Sequence, residues 1–133
     1  MNRDELILIT NDDGYKAKGL AVLNNVARKL SNNIWSFAPT LNNSGKGHSI
    51  TINKKTKVKY IGHQKFHVDG TPVDCVIIGK KFLSLKDLKP TLILSGINYG
   101  QNLGLDIYYS GTFAAAREAS IQGIKSFSIS IEK

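Results

Sequence analysis

Two kinds of hydrophobic pattern alternate along the first third of the chain. Residues 5–10 form a continuous apolar run that ends at a polar turn, which is typical of a strand buried on both faces. Apolar residues then recur at helical spacing over residues 18–30, and residues 34–38 form a second apolar run that Pro39 closes. A strand, a helix and a strand within about 35 residues predict a βαβ unit with a right-handed crossover.

The pattern changes in the middle of the chain, where polar and apolar residues alternate. Residues 48–52, 57–61 and 65–69 alternate in this way, with turn-like breaks at Asn53 and Gly62. Such alternation predicts short strands with one face in water. We expect these strands to form an antiparallel excursion from the main sheet.

The second half of the chain returns to alternating helices and strands. Thr71 is the predicted N-cap of a helix that has Pro72 at its first position and Asp74 in its first turn. The predicted elements are this helix to about residue 82, a strand over 91–95, a glycine-rich loop over 96–104, a helix over 113–122 and a strand over 126–131. This order favours a three-layer α/β fold with a mostly parallel sheet, in one domain spanning residues 1–133.

Composition excludes several classes of protein. The chain has 133 residues, a single cysteine, and 18 basic against 10 acidic side chains. It lacks the paired cysteines of a disulfide-rich secreted fold, and no apolar run approaches the ~20 residues that cross a bilayer. The N-terminus does not have the pattern of a signal peptide. We therefore expect a soluble, cytoplasmic protein with no membrane partner.

The positive charge is mostly lysine, and its local concentration falls in the alternating middle segment, at Lys54, Lys55, Lys57, Lys59 and Lys65. Two interpretations stay open, namely the solvated face of a two-stranded ribbon and a surface that attracts an anionic ligand. The sequence has no zinc-finger spacing, RNP-like motif or basic amphipathic helix. Nucleic acid is therefore not an expected partner.

Polar residues follow three of the predicted strands, at the sheet edge where parallel sheets bind ligands. They are Asn11, Asp12 and Asp13 after the first strand, Asn42, Asn43, Ser44 and Gly45 after the second, and Ser95, Gly96 and Asn98 after the fourth. Paired carboxylates joined by amide and hydroxyl oxygens suit a hard cation such as Mg²⁺ or Mn²⁺. The sequence Asn-Asp-Asp-Gly is also an ordinary turn, so a purely structural interpretation stays open.

A candidate anion site precedes the last predicted helix. Ser110, Gly111 and Thr112 offer two hydroxyls and free backbone N–H groups at a helix start. A simple N-cap by Ser110 or Thr112 is the alternative interpretation. The glycine-rich loop over 96–104 matches neither the Walker pattern nor the dinucleotide fingerprint, so ATPase and NAD-binding functions are poorly supported.

The histidines and the cysteine divide by position. His48 follows the Ser44 loop closely enough to lie at the rim of the site, although a lone histidine is more often structural. His63 and His67 fall in the lysine-rich segment, and we expect them at the surface. Cys75 lies in an apolar stretch and is predicted to be a buried small hydrophobe.

Five blocks of sequence together carry a family resemblance. They are Leu8-Ile-Thr-Asn-Asp-Asp-Gly14, then Ala38-Pro39 with Asn42-Asn-Ser-Gly45 and His48-Ser49, then Gly70-Thr-Pro-Val-Asp-Cys75, then Ser95-Gly-Ile-Asn98 with Asn102-Leu-Gly104, and finally Tyr109-Ser-Gly-Thr112 with Ala114-Ala-Ala-Arg-Glu118. In this order they resemble the SurE family, the stationary-phase survival protein E phosphatases. The resemblance implies a three-layer Rossmann-like core, with the C-terminal half of the family fold absent from this chain.

The resemblance also implies an activity and a set of site residues. Family members are divalent-metal-dependent phosphatases that hydrolyse nucleoside 5′- or 3′-monophosphates by metal-activated attack of water. The family's metal ligands fall on Asp12, Asp13, Ser44 and Asn98. Asp12 and Asp13 are also the candidate catalytic residues, and the sequence does not decide which of the two, more plausibly Asp13, accepts the proton of the attacking water. The family's phosphate contacts fall on Asn11, Gly96, Asn98, Ser110, Gly111 and Thr112. The implied cofactor is one Mn²⁺ or Mg²⁺ ion per subunit.

The chain departs from the family pattern in two respects. Residues Thr40-Leu-Asn-Asn-Ser-Gly45 stand where the family usually has Asp-Arg-Asn-Gln-Ser-Gly, so an acid and an arginine beside the metal loop are lost. Typical members are also roughly twice as long, and their C-terminal half supplies a hairpin used to form homodimers or homotetramers. The alternative hypothesis is therefore a truncated, catalytically impaired domain that binds metal and nucleotide without turnover.

Overall fold

The computed structural model of the chain describes residues 2–132. Its strands and longer helices are, in chain order, β1 Ile7–Thr10, α1 Lys18–Leu30, β2 Ile34–Pro39, β3 Val58–Gly62, β4 Lys65–Val68, α2 Pro72–Ser84, β5 Leu92–Tyr99, α3 Gly111–Ile121 and β6 Lys125–Ile131. A short 3-10 helix, Gly104–Tyr108, lies between β5 and α3. The six strands form one sheet in the order β3-β4-β2-β1-β5-β6.

β1 lies inside the sheet and is parallel to both of its neighbours. Ile7 is opposite Ile34 of β2 on one side and opposite Leu92 of β5 on the other. β4 and β6 extend the parallel sheet beyond β2 and β5. Among the strands within residues 2–132, β3 alone is antiparallel to its neighbour, β4. The prediction of a mostly parallel α/β sheet with a small antiparallel excursion is confirmed.

Helices cover both faces of the sheet and make the fold three-layered. On one face, Leu20 and Leu23 of α1 pack in a cluster with Ile7 and Ile9 of β1. On the other face, Leu8 of β1 packs in a cluster with side chains of α2 and α3. Successive strand residues point to opposite faces, and helices cover both faces, so every residue of β1 is buried. This explains the continuous apolar run of the sequence.

One predicted strand is wrong. Residues 48–52 are not a strand but an irregular segment that runs across the start of α2. Thr51 N donates to Asp74 Oδ1 at 3.0 Å, and the Thr71 hydroxyl donates to the Ser49 carbonyl oxygen at 2.7 Å. The alternating pattern predicts Ile50 and Ile52 on a buried face, but both side chains are exposed, at 49% and 70%, and the segment is hydrogen-bonded to a helix start instead of a neighbouring strand.

The glycine-rich segment after β5 is shorter than predicted. β5 continues to Tyr99, so the first part of this segment is a strand, with Asn98 opposite Ser130 of β6 after a register shift. α3 also begins earlier than predicted, at Gly111, because Ser110 is its N-cap and accepts a hydrogen bond from Phe113 N at 3.1 Å. As a result, Asn98 lies in a strand and Thr112 lies in a helix, although neither was predicted to be in a regular element.

The start of α2 agrees with the sequence prediction. The Thr71 hydroxyl accepts from Asp74 N at 3.1 Å, and Thr71 N donates to Asp74 Oδ2 at 2.8 Å, which is a capping box. Cys75, in the first turn of this helix, is fully buried as predicted, and burial raises the pKa of its thiol.

The surface predictions are mostly confirmed. His63 is exposed as expected, and the lysines of the middle segment are all exposed, which agrees with both a solvated face and a surface that attracts an anion. His67 differs, because it is half-buried: its ring stacks on Tyr15 with the ring centres 4.7 Å apart, and its Nδ1 lies 2.8 Å from the Thr40 hydroxyl. Within residues 2–132, no helix has the length and apolar character that crossing a bilayer requires.

Candidate functional site

A cleft of about 300 Å³ lies at the carboxyl ends of β1 and β5, next to the start of α3. This is the edge at which open parallel sheets bind their ligands. It contains the four predicted metal ligands together with the N-cap of α3. Its lining residues are Asp12, Asp13, Ser44, Gly45, Asn98, Tyr99, Gly100, Gln101, Asn102, Asp106, Tyr109 and Ser110.

Asp12 is the most enclosed carboxylate of the cleft. It is only 3% exposed, and its Oδ1 accepts a hydrogen bond of 2.8 Å from the Thr112 hydroxyl. Burial raises the pKa of Asp12 above its ordinary value, although hydrogen bonds from the Thr112 hydroxyl and from the backbone of Asp12 and Thr112 oppose this effect. An ionised Asp12 therefore gains from a nearby positive charge.

Gly111 allows the start of α3 to approach Asp12 closely. A Cβ atom at this position would lie 2.9 Å from Asp12 Cβ and 3.0 Å from Pro72 Cγ. Real Cβ atoms do not tolerate such distances, so any larger residue would move the helix away from the carboxylate. The lack of a side chain at Gly111 therefore permits the helix start to lie this close to Asp12.

Asp13 is more open than Asp12. Partial burial, and after it the negative charge of Asp12, raises the pKa of Asp13. Two adjacent carboxylates whose pKa values are both raised are poorly stabilised as a doubly ionised pair, and a cation bound between them removes that strain. Asn42 Nδ2 lies 3.5 Å from Asp13 Oδ1 and provides only a weak contact.

The loop that carries Ser44 is fixed to β1 through its backbone. Asn43 N donates to the Asp12 carbonyl oxygen at 2.7 Å, and Ser44 N donates to Asn42 Oδ1 at 2.8 Å. Gly45 has a φ of +76°, a conformation that residues with a side chain rarely adopt. The Ser44 side chain remains exposed at the cleft, where its hydroxyl is accessible to a ligand.

Asn98 contributes an amide oxygen from the β5 side of the cleft. Its Nδ2 donates to the Gly100 carbonyl oxygen at 3.0 Å, and its Oδ1 has no hydrogen-bond partner within residues 2–132. The same part of the chain has no cluster of three or more His, Cys, Asp or Glu side chains close enough to hold a metal ion. A cation here would therefore need the neutral oxygens of Ser44 and Asn98 as well as both carboxylates, and this all-oxygen set fits Mg²⁺ or Mn²⁺.

Comparisons with known proteins show the family of this chain. The family model described as Survival protein SurE matches residues 7–133. The chain belongs to the SurE family. The 5′-nucleotidase SurE of Methylorubrum extorquens strain PA1 is 48% identical over 93% of this chain, and that of Rhodopseudomonas palustris strain TIE-1 is 47% identical over 95%. These matches cover 48% and 49% of the two relatives, so the chain spans about half the length of the curated relatives it matches.

A solved SurE structure has the same fold as this chain. The SurE protein from Aquifex aeolicus superposes with a TM-score of 0.87 at 44% identity, covering 94% of this chain and 50% of that one. The Rossmann-like core implied by the sequence blocks is therefore confirmed. Four of the five resembling blocks contribute residues to the cleft at the ends of β1 and β5, and the block Gly70–Cys75 does not.

Four of the six residues at which phosphate contacts were expected do not line the cleft, namely Asn11, Gly96, Gly111 and Thr112. Asn11 is fully buried, and its amide is engaged with Gly14: Nδ2 donates to the Gly14 carbonyl oxygen at 2.9 Å, and Oδ1 accepts from Gly14 N at 3.3 Å. Gly96 is buried against the Ile129 backbone of β6. Asn11 and Gly96 therefore shape the strand ends beside the cleft, and the expected phosphate contacts stay predictions.

Thr112 and His48 also lie differently from their sequence predictions. The Thr112 hydroxyl is buried and points to Asp12, not into the cleft. His48 does not line the cleft, and its ring is held between Arg117 and Glu118 of α3. The position of His48 therefore fits a structural role better than a role at the rim of the cleft.

Sequence reasoning missed part of the cleft wall. Asp106, Tyr99 and Tyr109 all line it, and the two tyrosines are 49% and 67% exposed. The signal that could have found them is proximity in sequence, because Tyr99 follows Asn98 and Tyr109 precedes Ser110. The segment from Tyr99 to Tyr109 therefore forms one wall of the cleft.

Proposed function

We propose that this chain carries the catalytic core of a divalent-metal-dependent phosphatase that acts on nucleoside monophosphates. The observation that carries the proposal is the meeting of Asp12, Asp13, Ser44, Asn98 and the N-cap Ser110 in one cleft. The names of the curated relatives, 5′-nucleotidase SurE, support a nucleotidase activity. The order of catalytic events can be argued from these residues.

The cation site comprises Asp12, Asp13, Ser44 and Asn98. Bound there, Mg²⁺ or Mn²⁺ supplies a Lewis acid that polarises a phosphoryl oxygen and increases the acidity of water. Asp12 and Asp13 provide the two negative charges that hold such an ion, while Ser44 and Asn98 complete its oxygen ligands without adding charge. The Thr112 hydroxyl restricts Asp12 to one orientation through its 2.8 Å hydrogen bond.

The start of α3 is the proposed phosphate site. Ser110 lines the cleft, and its hydroxyl can donate to a phosphoryl oxygen while its own oxygen accepts from Phe113 N. The backbone N–H groups of Gly111 and Thr112 belong to the first turn, where partial positive charge favours an anion. These donors stabilise the negative charge that the equatorial oxygens carry in the transition state.

Asp13 is the proposed acceptor of the water proton. Its carboxylate is the more accessible of the pair, because Asp12 is almost fully buried and already bound to Thr112. Asp13 takes the proton of the attacking water as the water oxygen forms its bond to phosphorus. The bond from phosphorus to the nucleoside oxygen breaks in line with this attack, and the leaving oxygen takes up a proton from water in the open cleft.

The tyrosines of the cleft support a nucleoside over a smaller leaving group. Tyr99 and Tyr109 are both largely exposed within a cleft of about 300 Å³ that also holds the phosphate donors. Exposed aromatic faces beside a phosphate site suit stacking of a nucleobase, and such stacking contributes about 1–3 kcal/mol. The proposed substrate class is therefore a nucleoside 5′- or 3′-monophosphate.

The test is hydrolysis of AMP, GMP and p-nitrophenyl phosphate by the purified chain with Mn²⁺, Mg²⁺ or EDTA. We expect metal-dependent turnover that Asp13→Asn lowers by a factor of about 10² or more, the effect of removing a general base. The matched control is Asp4→Asn, a change of an exposed aspartate that precedes the amino end of β1, whereas the cleft lies at its carboxyl end. A folded wild-type chain that binds metal and AMP without turnover would instead support the impaired-domain alternative.

A further inference from the structure

The His48 ring makes two hydrogen bonds to adjacent side chains of α3. Arg117 Nε donates to His48 Nδ1 at 3.0 Å, and His48 Nε2 lies 2.8 Å from Glu118 Oε2. Because a guanidinium can only donate, Nδ1 must accept, which leaves the ring proton on Nε2 to be donated to Glu118. The ring is therefore held in one tautomer and one orientation.

Glu118 is well suited to accept this hydrogen bond. Burial opposes its ionisation, but hydrogen bonds from Gln122 and His48, together with the positive charge of Lys80, outweigh burial and hold the pKa of Glu118 below its ordinary value. Gln122 Nε2 donates to the other carboxylate oxygen, Oε1, at 2.7 Å. The Glu118 carboxylate is thus ionised at neutral pH and fixed at both oxygens.

His48 lies at the far end of the loop that carries Ser44. On the near side, the loop is fixed to β1 by the hydrogen bond from Asn43 N to the Asp12 carbonyl oxygen. On the far side, Gly47 N donates to the Tyr109 carbonyl oxygen at 2.9 Å, and His48 follows. The residues between these anchors are exposed, and a Cβ on Gly45 would meet no atom within 4 Å. The stretch around Ser44 is therefore held in place mainly from its two ends.

We propose that His48, held by Arg117 and Glu118, is a positioning residue that fixes the Ser44 loop to α3 and so sets the place of Ser44 in the cation site. The same helix presents Ser110 to the cleft and the Thr112 hydroxyl to Asp12. Contacts with α3 then fix the positions of Ser44, Asp12 and the phosphate donors relative to one another. This inference rests on the function proposed above.

The His48 contacts are placed to affect geometry more than stability. The side chains of His48 and Glu118 are 23% and 14% exposed, so the pair is partly solvated and contributes modestly to the stability of the fold. Residues that orient a metal ligand typically change metal affinity 10- to 100-fold when they are removed. We expect His48→Ala to weaken Mn²⁺ binding by about 10-fold while the chain remains folded.

The experiment is a titration of the metal-free chain with Mn²⁺, followed by electron paramagnetic resonance of the free ion. The variants are His48→Ala, His48→Gln and the control His63→Ala, which removes an exposed histidine of the β3–β4 turn. Glutamine can both accept from Arg117 and donate to Glu118, so His48→Gln should recover most of the affinity that His48→Ala loses. His63→Ala should bind Mn²⁺ like the wild type, and circular dichroism confirms folding of each variant.

A double-mutant cycle with Ser44→Ala separates positioning from a general structural effect. If His48 acts through Ser44, then His48→Ala should have little further effect on the Mn²⁺ affinity of Ser44→Ala. Additive losses, or a His48→Ala variant that binds Mn²⁺ as tightly as the wild type, would overturn the positioning role and leave the proposed function standing. A wild-type chain that binds no Mn²⁺ would overturn both.

Discussion

The hydrogen bond from the Thr112 hydroxyl to Asp12 links α3 to the end of β1, and Thr112→Val removes it at nearly constant volume. Both residues are almost completely enclosed, with Thr112 at 0% and Asp12 at 3% exposure. Water therefore cannot replace the lost donor without rearrangement of the site. The Asp12 carboxylate keeps its backbone hydrogen bonds but loses the shortest side-chain contact that stabilises its charge.

The size of the effect follows from the charge on the acceptor. Hydrogen bonds to charged groups contribute about 1.5–3 kcal/mol, and a buried acceptor left without its donor loses most of that. Because Asp12 retains backbone donors, we expect Thr112→Val to lower the free energy of unfolding by about 2 kcal/mol at pH 8. The pKa of Asp12, already raised by burial, should rise further in the variant.

The pH dependence has a definite sign. The Thr112 hydrogen bond favours ionised Asp12, so its contribution is present at neutral pH and is lost as the pH falls through the pKa of Asp12 toward the ordinary value of 3.8. The difference in stability between wild type and Thr112→Val should therefore shrink on acidification. The control Thr112→Ser keeps the hydroxyl, so its loss of stability comes from the missing methyl group and should vary little with pH.

The assay is urea unfolding of the metal-free protein in EDTA, measured at pH 8 and at stepwise lower pH. Crossing Thr112→Val with Asp12→Asn isolates the part of the interaction that depends on charge, because the two residues are in direct contact. If the free energy of unfolding of Thr112→Val at pH 8 lies within about 0.5 kcal/mol of the wild-type value, the change is no larger than that of an ordinary surface substitution and the expected role of the hydrogen bond is refuted. The same conclusion would follow if Thr112→Ser and Thr112→Val showed the same pH dependence.

Three further substitutions test other parts of the site. Asp13→Asn should stabilise the metal-free chain at neutral pH, because burial and the charge of Asp12 raise the pKa of Asp13, so that its ionised form opposes folding. The gain in stability should vanish below pH 3.8, where Asp13 is protonated in both the folded and the unfolded chain. Thermal unfolding in EDTA across this pH range measures the gain. Gly111→Ala should lower kcat for AMP about 10-fold or more, since its Cβ would lie 2.9 Å from Asp12 Cβ and displace the helix start. An unchanged kcat would show that the close approach is not needed. Tyr109→Leu should raise KM for AMP but not for glycerol 2-phosphate, whereas Tyr109→Phe should leave both unchanged. Equal effects of Tyr109→Leu on the two substrates would contradict base stacking.

Features encoded by neighbouring residues were predicted well. The apolar run of residues 5–10 indicated a doubly buried strand, and β1 is such a strand inside the sheet. The sequence Thr71-Pro72 with Asp74 indicated a helix start, and the capping box is present. In both cases the signal lies within a few residues, because side-chain alternation and helix capping are local properties of the backbone.

Features that depend on distant partners were predicted less well. The alternation of residues 48–52 suggested a strand, but their hydrogen bonds go to Thr71 and Asp74 at the start of α2. β5 continues to Tyr99, beyond the predicted end at residue 95, because β6 offers a partner strand that local sequence does not show. The pattern of polar and apolar positions in residues 48–52 did not show which element supplies the hydrogen-bond partners, and it did not show that Ile50 and Ile52 are exposed.

The sequence alone determined which donors stand at the strand ends. Asp12, Asp13, Ser44 and Asn98 each follow a strand signal, and parallel strands bring their carboxyl ends to one edge, so their meeting in one cleft was predictable. Only the tertiary structure decided how those donors are held. The Thr112 hydroxyl reaches Asp12 across 100 residues and His48 reaches Glu118 across 70, contacts that exist because α3 packs beside the end of β1. Such contacts depend on the packing of whole elements at ångström precision, which periodicity and capping signals do not encode.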